Sequence, residues 1–203
     1  MRLLRIAALL ALAAAVSGCG SKFRTYDGPE VTRVVVFKEE RKMHLLHHDR
    51  VLKSYDFELG FAPTGDKRIE GDGRTPEGRY RIDRRNPNSR FHLSIGIDYP
   101  SAKDIAEAEA LGQPPGGDIF IHGTPKKFSR KDDWTWGCIA VTNREMEDVY
   151  AMVRDGTVVD IYPSAAEAAS APLADAAPEP EEGVLPIAET PVQAPTGTAM
   201  TEG

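Results

Sequence analysis

The chain has 203 residues, of which 41% are hydrophobic, and it carries a formal net charge of −6 at pH 7. Seven acidic and no basic residues lie in positions 164–203, so the stretch from Gly20 to Pro163 holds 23 basic and 24 acidic residues. Such a nearly neutral region argues against nucleic-acid binding, which requires an excess of basic charge on the folded domain. Its length suits one domain with its own hydrophobic core.

The first predicted element is an export signal over residues 1–18. Arg2 and Arg5 precede an apolar run from Ile6 to Val16, and small residues follow that run. Eleven apolar residues are too few to cross a bilayer as a helix, whereas this order of charge, apolar run and small residues is typical of a secretory signal.

The signal ends in the letters VSGC, which resemble the lipobox of bacterial lipoproteins. The resemblance implies that Cys19 carries the lipid and that residues 19–30 form a lipidated N-terminus and linker. The protein is then expected at the periplasmic face of the cell envelope, attached to a membrane through this lipid. Gly20 is not a retention signal of a recognised kind, which favours the outer membrane.

Residues 31–163 are predicted to form one mainly β domain with two helices. Strands are expected where β-branched and apolar residues run together or alternate with polar ones. In the strand 91–97 this alternation would place Phe91 on the apolar face and His92 on the polar face. The predicted strands are 31–37, 42–49, 53–59, 79–82, 91–97, 118–121 and 157–162.

Both helices are predicted from their capping residues. Ser101 followed by Asp104 predicts a helix that ends at Gly112, and Thr142 followed by Glu145 predicts a helix that ends at Gly156.

Two segments lack a strand or helix pattern. The segment from Gly60 to Tyr80 is rich in glycine, and a loop of this length favours a role at the border of a site. Residues 164–203 are rich in alanine, proline and acid, with no aromatic residue, and predict a disordered tail because they can bury little apolar surface.

Cys138 is the one cysteine of residues 31–163. In an exported protein a thiol without an internal partner is buried and inert, paired with another molecule, or a reactive nucleophile. A nucleophilic thiol needs a neighbouring base, and His122 lies sixteen residues upstream at the end of an apolar strand. Gly137 would let backbone N–H groups approach a developing oxyanion. Spacing alone leaves a core cysteine and a structural histidine equally open.

The letters IHGTP at 121–125 and TWGCIAVTN at 135–143 resemble the active-site signature of the L,D-transpeptidase family, the YkuD-type catalytic domain. That signature has a histidine and glycine, a spacer, a serine or threonine, and then glycine, cysteine and an apolar residue. The letters GDGRTPEGRYRI at 71–82 resemble the strand entry of the family. The matching residues are His122, Gly123, Thr135, Gly137, Cys138 and Ile139, with Asn143 where the family often has asparagine.

The resemblance implies a YkuD-like mixed β fold over 31–163 and an acyl transfer on peptidoglycan stem peptides. Cys138 would be the nucleophile, His122 the general base, and the Gly137 and Cys138 amides the oxyanion site. Thr135, Gly123 and Asn143 would support this site. The family requires no metal or organic cofactor.

Two positions depart from the common signature, because Trp136 replaces a histidine and Ala140 replaces an arginine that could hold a substrate carboxylate. These changes resemble a YafK-like branch, in which one activity is hydrolytic and detaches a lipoprotein from peptidoglycan. Stem peptides, or a lipoprotein linked to peptidoglycan, are therefore the expected partners, and a non-catalytic protein that binds the cell wall is a further alternative.

Other side chains offer weaker signals. Trp134 and Trp136 are expected to wall the pocket or to pack on each other. His92 is expected to line the substrate groove or to make a plain hydrogen bond. His44, His47 and His48 predict no metal site, because strand alternation separates His47 from the other two and no acidic or thiol ligands accompany them.

Overall fold

The computed structural model describes residues 21–170, which form an eight-stranded mixed sheet and three helices. The strands are β1 (Arg33–Phe37), β2 (Lys42–His47), β3 (Arg50–Asp56), β4 (Gly78–Asn86), β5 (Ser94–Ile97), β6 (Phe120–Gly123), β7 (Ile139–Val141) and β8 (Val158–Tyr162). The helices are α1 (Ala102–Ala110), α2 (Asn143–Met152) and α3 (Ala165–Ser170), and a 3₁₀ turn covers Lys126–Phe128.

The sheet runs in the order β3-β2-β1-β8-β4-β5-β6-β7. Neighbouring strands are antiparallel except for two pairs, β1 with β8 and β6 with β7. Glu58, just past β3, bridges to Ala140 in β7, so the two ends of the sheet meet. The sheet is therefore curled in a barrel-like form around its apolar side chains, as the mainly β prediction requires.

The core is made of apolar side chains from all eight strands together with the inner face of α2. From α2 and its end, Met146, Val149 and Val153 are fully buried, as their helical spacing predicts, and Tyr150 is partly buried against them.

Both predicted helix starts are confirmed. Ser101 and Asp104 form a complete capping box at α1, and Thr142 and Glu145 form one at α2. Each box satisfies backbone N–H groups that the first helical turn leaves without partners. The capping box at α2 fixes the start of this helix immediately after β7.

Two strand predictions near the site are shifted, and each shift has a backbone cause. His92 has a φ of 75°, a left-handed conformation that does not fit a strand, so β5 begins at Ser94. Asp118 has a φ of 56°, so β6 begins at Phe120 and extends through His122 to Gly123. Alternation along the sequence does not report such local turns.

The glycine-rich loop between Gly60 and Gly78 is held by two buried lysines. Lys38 Nζ donates to Gly65 O at 2.6 Å and Thr75 O at 2.9 Å, and it pairs with Glu77 at 2.7 Å. Lys67 pairs with Asp72, whose carboxylate also accepts backbone N–H groups of the same loop. Buried ammonium groups need such partners, so the loop is fixed against the sheet.

Both ends of the described region contact the sheet domain. In residues 21–30, which were predicted as part of a linker, Lys22 Nζ donates to Pro87 O at 2.6 Å and Arg24 pairs with Glu147 and Asp148. At the other end, the first residues of the segment predicted as a disordered tail form α3, which begins after the buried Ser164 and lies against β8.

The signal segment, Cys19 and the remainder of the predicted tail lie outside the described residues. Within residues 21–170, none of the helices has the length and apolar character needed to cross a membrane.

Candidate active site

Parallel pairing of β6 with β7 brings the predicted histidine and cysteine together. His122 in β6 is the register partner of Ala140 in β7, and Cys138 directly precedes β7. The connection of residues 124–138 therefore returns beside β6, and the sulfur lies next to Phe120 and Asp118. His122 and Cys138 line the same two cavities.

His122 is almost fully buried, with 3% of its surface exposed. Its ring stacks on Phe91 with centroids 4.4 Å apart and lies 5.6 Å from the ring of Trp134. Burial lowers the pKa of His122 to about 4, so the imidazole is neutral at neutral pH. Nδ1 lies 2.8 Å from Gly123 O, and because a carbonyl only accepts, Nδ1 carries the proton and the free lone pair lies on Nε2.

Cys138 is partly buried and has no disulfide partner among the described residues. Its thiol donates to Asp118 O at 3.6 Å. Burial raises the pKa of the Cys138 thiol, and the Phe120 N–H, which donates to the sulfur, partly offsets this effect. The thiol is therefore protonated at rest, and a nucleophilic role requires proton removal by a neighbour such as the neutral His122.

The turn before the cysteine depends on Gly137. Its φ is 112°, and a Cβ at this position would lie 2.4 Å from Arg74 O. Thr75 Oγ1 donates to Gly137 O at 2.8 Å, and Thr135 Oγ1 donates to Cys138 O at the same distance. The glycine-rich loop therefore borders the cysteine turn, as the sequence predicts.

The expected oxyanion site is changed in one respect. The Gly137 N–H donates to Thr135 Oγ1 at 3.2 Å and is already engaged within the turn. Of the two amides that the resemblance implies, the Cys138 N–H is the one that remains for an oxyanion.

 Two cavities of about 440 and 380 Å³ meet at the thiol, and they differ in chemistry. The cavity of about 440 Å³, here called the aromatic arm, is lined by Phe128, Trp134 and Trp136. The other, the polar arm, is lined by Asn86, Asn88, Ser89, Ser94 and Asp118.

The two tryptophans line the aromatic arm, which agrees with the expected pocket wall. Trp134 stacks on Phe128 with centroids 4.2 Å apart, whereas Trp136 is 71% exposed and meets the ring of Phe61 edge to face at 5.0 Å. The ring of Trp136 therefore stands at the mouth of the arm, where solvent and a ligand both reach it.

His92, Asn143 and Ala140 have other surroundings than the thiol. His92 Nε2 bonds to Glu147 at 3.0 Å and lines neither arm, so it has the plain hydrogen-bonding role. Asn143 Oδ1 lies beside Gly123, 2.5 Å from the position that a Cβ on residue 123 would occupy. Ala140 lines a separate cavity of about 410 Å³ beside Glu58 and is not among the residues that line the two arms.

The histidines of β2 and its turn take separate partners. His44 bonds to Ser54 at 2.7 Å, and His47 bonds to Glu30 O at 2.8 Å and contacts the ring of His48. Within the part of the chain that the structure describes, no group of three or more acidic, histidine or cysteine side chains is arranged to hold a metal ion.

Three residues around His122 and Cys138 were not predicted from the sequence. Phe91 was expected in a strand and instead stacks on His122, Phe120 donates its N–H to the sulfur, and Arg90 lines both arms. The sequence signal for Arg90 was only that a basic residue stands next to an aromatic one, Phe91.

Comparisons with known proteins identify the family of this chain. Residues 31–161 match the family model of the YkuD L,D-transpeptidase catalytic domain. The match covers more than half of the chain, and the chain therefore belongs to the L,D-transpeptidase family.

Two relatives are informative. The chain is 30% identical over 143 residues to the putative L,D-transpeptidase YafK of Escherichia coli K12, which covers 64% of this chain and 53% of the relative. The crystal structure of the helical cell shape determining protein Pgp2 from Campylobacter jejuni aligns with a TM-score of 0.54 and 26% identity, over 72% of this chain and 52% of that one. The chain thus spans about half the length of each relative.

Replacement of Gly137 by alanine is expected to disrupt the cysteine turn. The new Cβ would collide with Arg74 O, and this overpacking should cost about 1–3 kcal/mol of unfolding free energy beyond the strain of a positive φ. Urea unfolding measures the loss, and the rate of thiol alkylation reports the displaced Cys138. Gly156→Ala is the matched control, because Gly156 has a φ of 84° with open space around its Cα. Equal losses in the two variants would contradict a steric role for Gly137.

The buried His122 predicts a pH dependence of stability. Between the ordinary pKa of 6.5 and the folded pKa of about 4, the unfolded chain binds a proton that the native imidazole does not. The unfolding free energy should therefore fall as pH falls through this window, by roughly 3 kcal/mol, and should be fully present above it. Denaturant unfolding of wild type and His122→Gln at pH 4 to 7 isolates this term from carboxylate titration. Parallel curves for the two proteins would refute it.

Proposed function

We propose that this protein transfers the acyl group of a peptidoglycan stem peptide through a thioester on Cys138. The observation that carries the proposal is that a neutral, buried His122 and a free thiol line the same two cavities. His122 lies within β6, and Cys138 lies one residue before β7, the parallel partner of β6. Membership of the L,D-transpeptidase family supplies the class of substrate.

The first half of the reaction follows from the tautomer of His122. Nε2 accepts the thiol proton as the sulfur attacks the carbonyl at the L-centre of the diaminopimelate residue, and a carbon–sulfur bond forms. The Cys138 N–H is directed at the oxyanion that develops. Collapse of this intermediate breaks the amide bond, and the proton on Nε2 passes to the departing amine of D-alanine.

The second half regenerates the thiol. An amine of another stem peptide attacks the thioester, its proton passes to Nε2, and the carbon–sulfur bond breaks to release a crosslinked product and Cys138. Water in place of the amine would give hydrolysis, and a peptidoglycan-linked lipoprotein would be a substrate for the same chemistry. The two outcomes share the acyl-enzyme and differ only in the attacking group.

The acyl-enzyme provides the direct test. The full-length protein in detergent, incubated with tetrapeptide muropeptides, should gain the mass of the donor less D-alanine on Cys138. Cys138→Ser should not form the thioester, and His122→Ala should form it about 10²- to 10⁴-fold more slowly. Circular dichroism of each variant controls for folding.

The products then separate the alternatives. New muropeptide dimers support transfer, whereas tripeptides formed without dimers would show that the reaction is hydrolysis. If wild type stays unmodified with every donor, both reactions are overturned, and a protein that only binds the cell wall is favoured.

We also propose that Cys19 carries a lipid and that the protein works at the periplasmic face of the cell envelope. The support is the sequence before Cys19, in which two arginines, an apolar run and small residues follow one another.

A labelled fatty acid supplied to producing cells tests this attachment. The wild-type protein should incorporate the label, and Cys19→Ser should lose it, with Cys138→Ser as the matched cysteine control that retains it. A label that persists in Cys19→Ser would contradict lipidation at this residue.

A further inference from the structure

Arg90 lies where the aromatic and polar arms meet. It lines both cavities, as do Phe91, His122 and Cys138. Its side chain is exposed, and no acidic side chain among residues 21–170 pairs with it. A guanidinium without a protein partner at the junction of two cavities is available for an anion of the ligand.

The other basic side chains near the thiol have different surroundings from Arg90. Lys127 lines only the aromatic arm, where its ammonium lies 4.7 Å from the ring of Phe128. Arg84 pairs with Asp118 at 3.5 Å. His122 is neutral, because burial lowers its pKa, so the charge that faces both arms is the cation of Arg90.

The backbone that carries Arg90 is fixed while its side chain is free. The next residue, Phe91, stacks on His122, and its carbonyl accepts the Leu93 N–H at 3.0 Å. Lys22 Nζ holds the same segment through Pro87 O and His92 O. Because the backbone is already ordered, binding of the guanidinium costs only the rotamer freedom of the Arg90 side chain, which favours a specific contact over a loose attraction.

The proposed donor carries an anion close to the reacting bond. The residue released from the stem peptide has a free carboxylate one Cα from the scissile amide nitrogen, so this group lies beside the thiol when the carbonyl does. We infer that Arg90 binds this carboxylate and selects donors with a free C-terminus, an inference that rests on the function proposed above. In the family signature an arginine two residues after the cysteine could have this role, whereas this chain has the uncharged Ala140 at that position.

The test pairs a change in the protein with a change in the donor. Arg90→Gln should lower kcat/KM for acylation by a tetrapeptide about 10- to 100-fold, the effect of one lost charge-assisted hydrogen bond. The loss should lie mainly in KM, because the carboxylate is charged in both ground and transition state. Arg90→Lys should recover part of it.

A tetrapeptide that ends in a carboxamide is the second arm. For wild type, kcat/KM for acylation should be about 10- to 100-fold lower with the carboxamide than with the acid. For Arg90→Gln, kcat/KM should be the same with both donors. If Arg90→Gln still discriminates between them as wild type does, the carboxylate is bound elsewhere and the inference is wrong.

Two controls keep the outcomes distinct. Arg130→Gln removes another exposed arginine with no ion pair in the described region, one that lines only the cavity beside Ala140, and it should leave acylation unchanged. If wild type forms the Cys138 acyl-enzyme and Arg90→Gln forms it at the same rate, only the role of Arg90 is overturned. Absence of any acyl-enzyme in wild type would overturn the proposed function.

Discussion

The parallel ladder between β6 and β7 is the constraint on which the site depends. A parallel pair needs a long connection, and residues 124–138 supply it while they return the chain to the side of β6. The register that pairs His122 with Ala140 sets Cys138 beside Phe120. A slip of one residue would turn either the imidazole or the thiol to the opposite face of the sheet.

Burial has opposite effects on the two members of this pair. It lowers the pKa of His122 and raises the pKa of the Cys138 thiol, so both groups are neutral before substrate arrives. Since Phe91 and Trp134 shield the imidazole from water, the same aromatic rings that line one arm also keep His122 neutral.

What the sequence could predict follows from how local each feature is. The capping boxes at Ser101 and Thr142 depend on residues three apart, and both predictions are confirmed. The mainly β class follows from alternation, and the histidine, cysteine and glycine from their spacing in the signature. His92 could not be predicted in this way, because its left-handed backbone and its bond to Glu147 depend on residues 55 positions apart. The places of Arg90 and Asn143 likewise follow from tertiary packing.

The fixed position of Lys22 limits the distance between Cys19 and the rest of the domain. Lys22 is held against Pro87 and His92, in the segment that borders the polar arm, and only three residue steps separate it from Cys19. Three extended steps cover about 11 Å. With a lipid on Cys19, as proposed above, Lys22 would lie within about a nanometre of the lipid attachment, and the cleft beside it would stay close to the membrane surface.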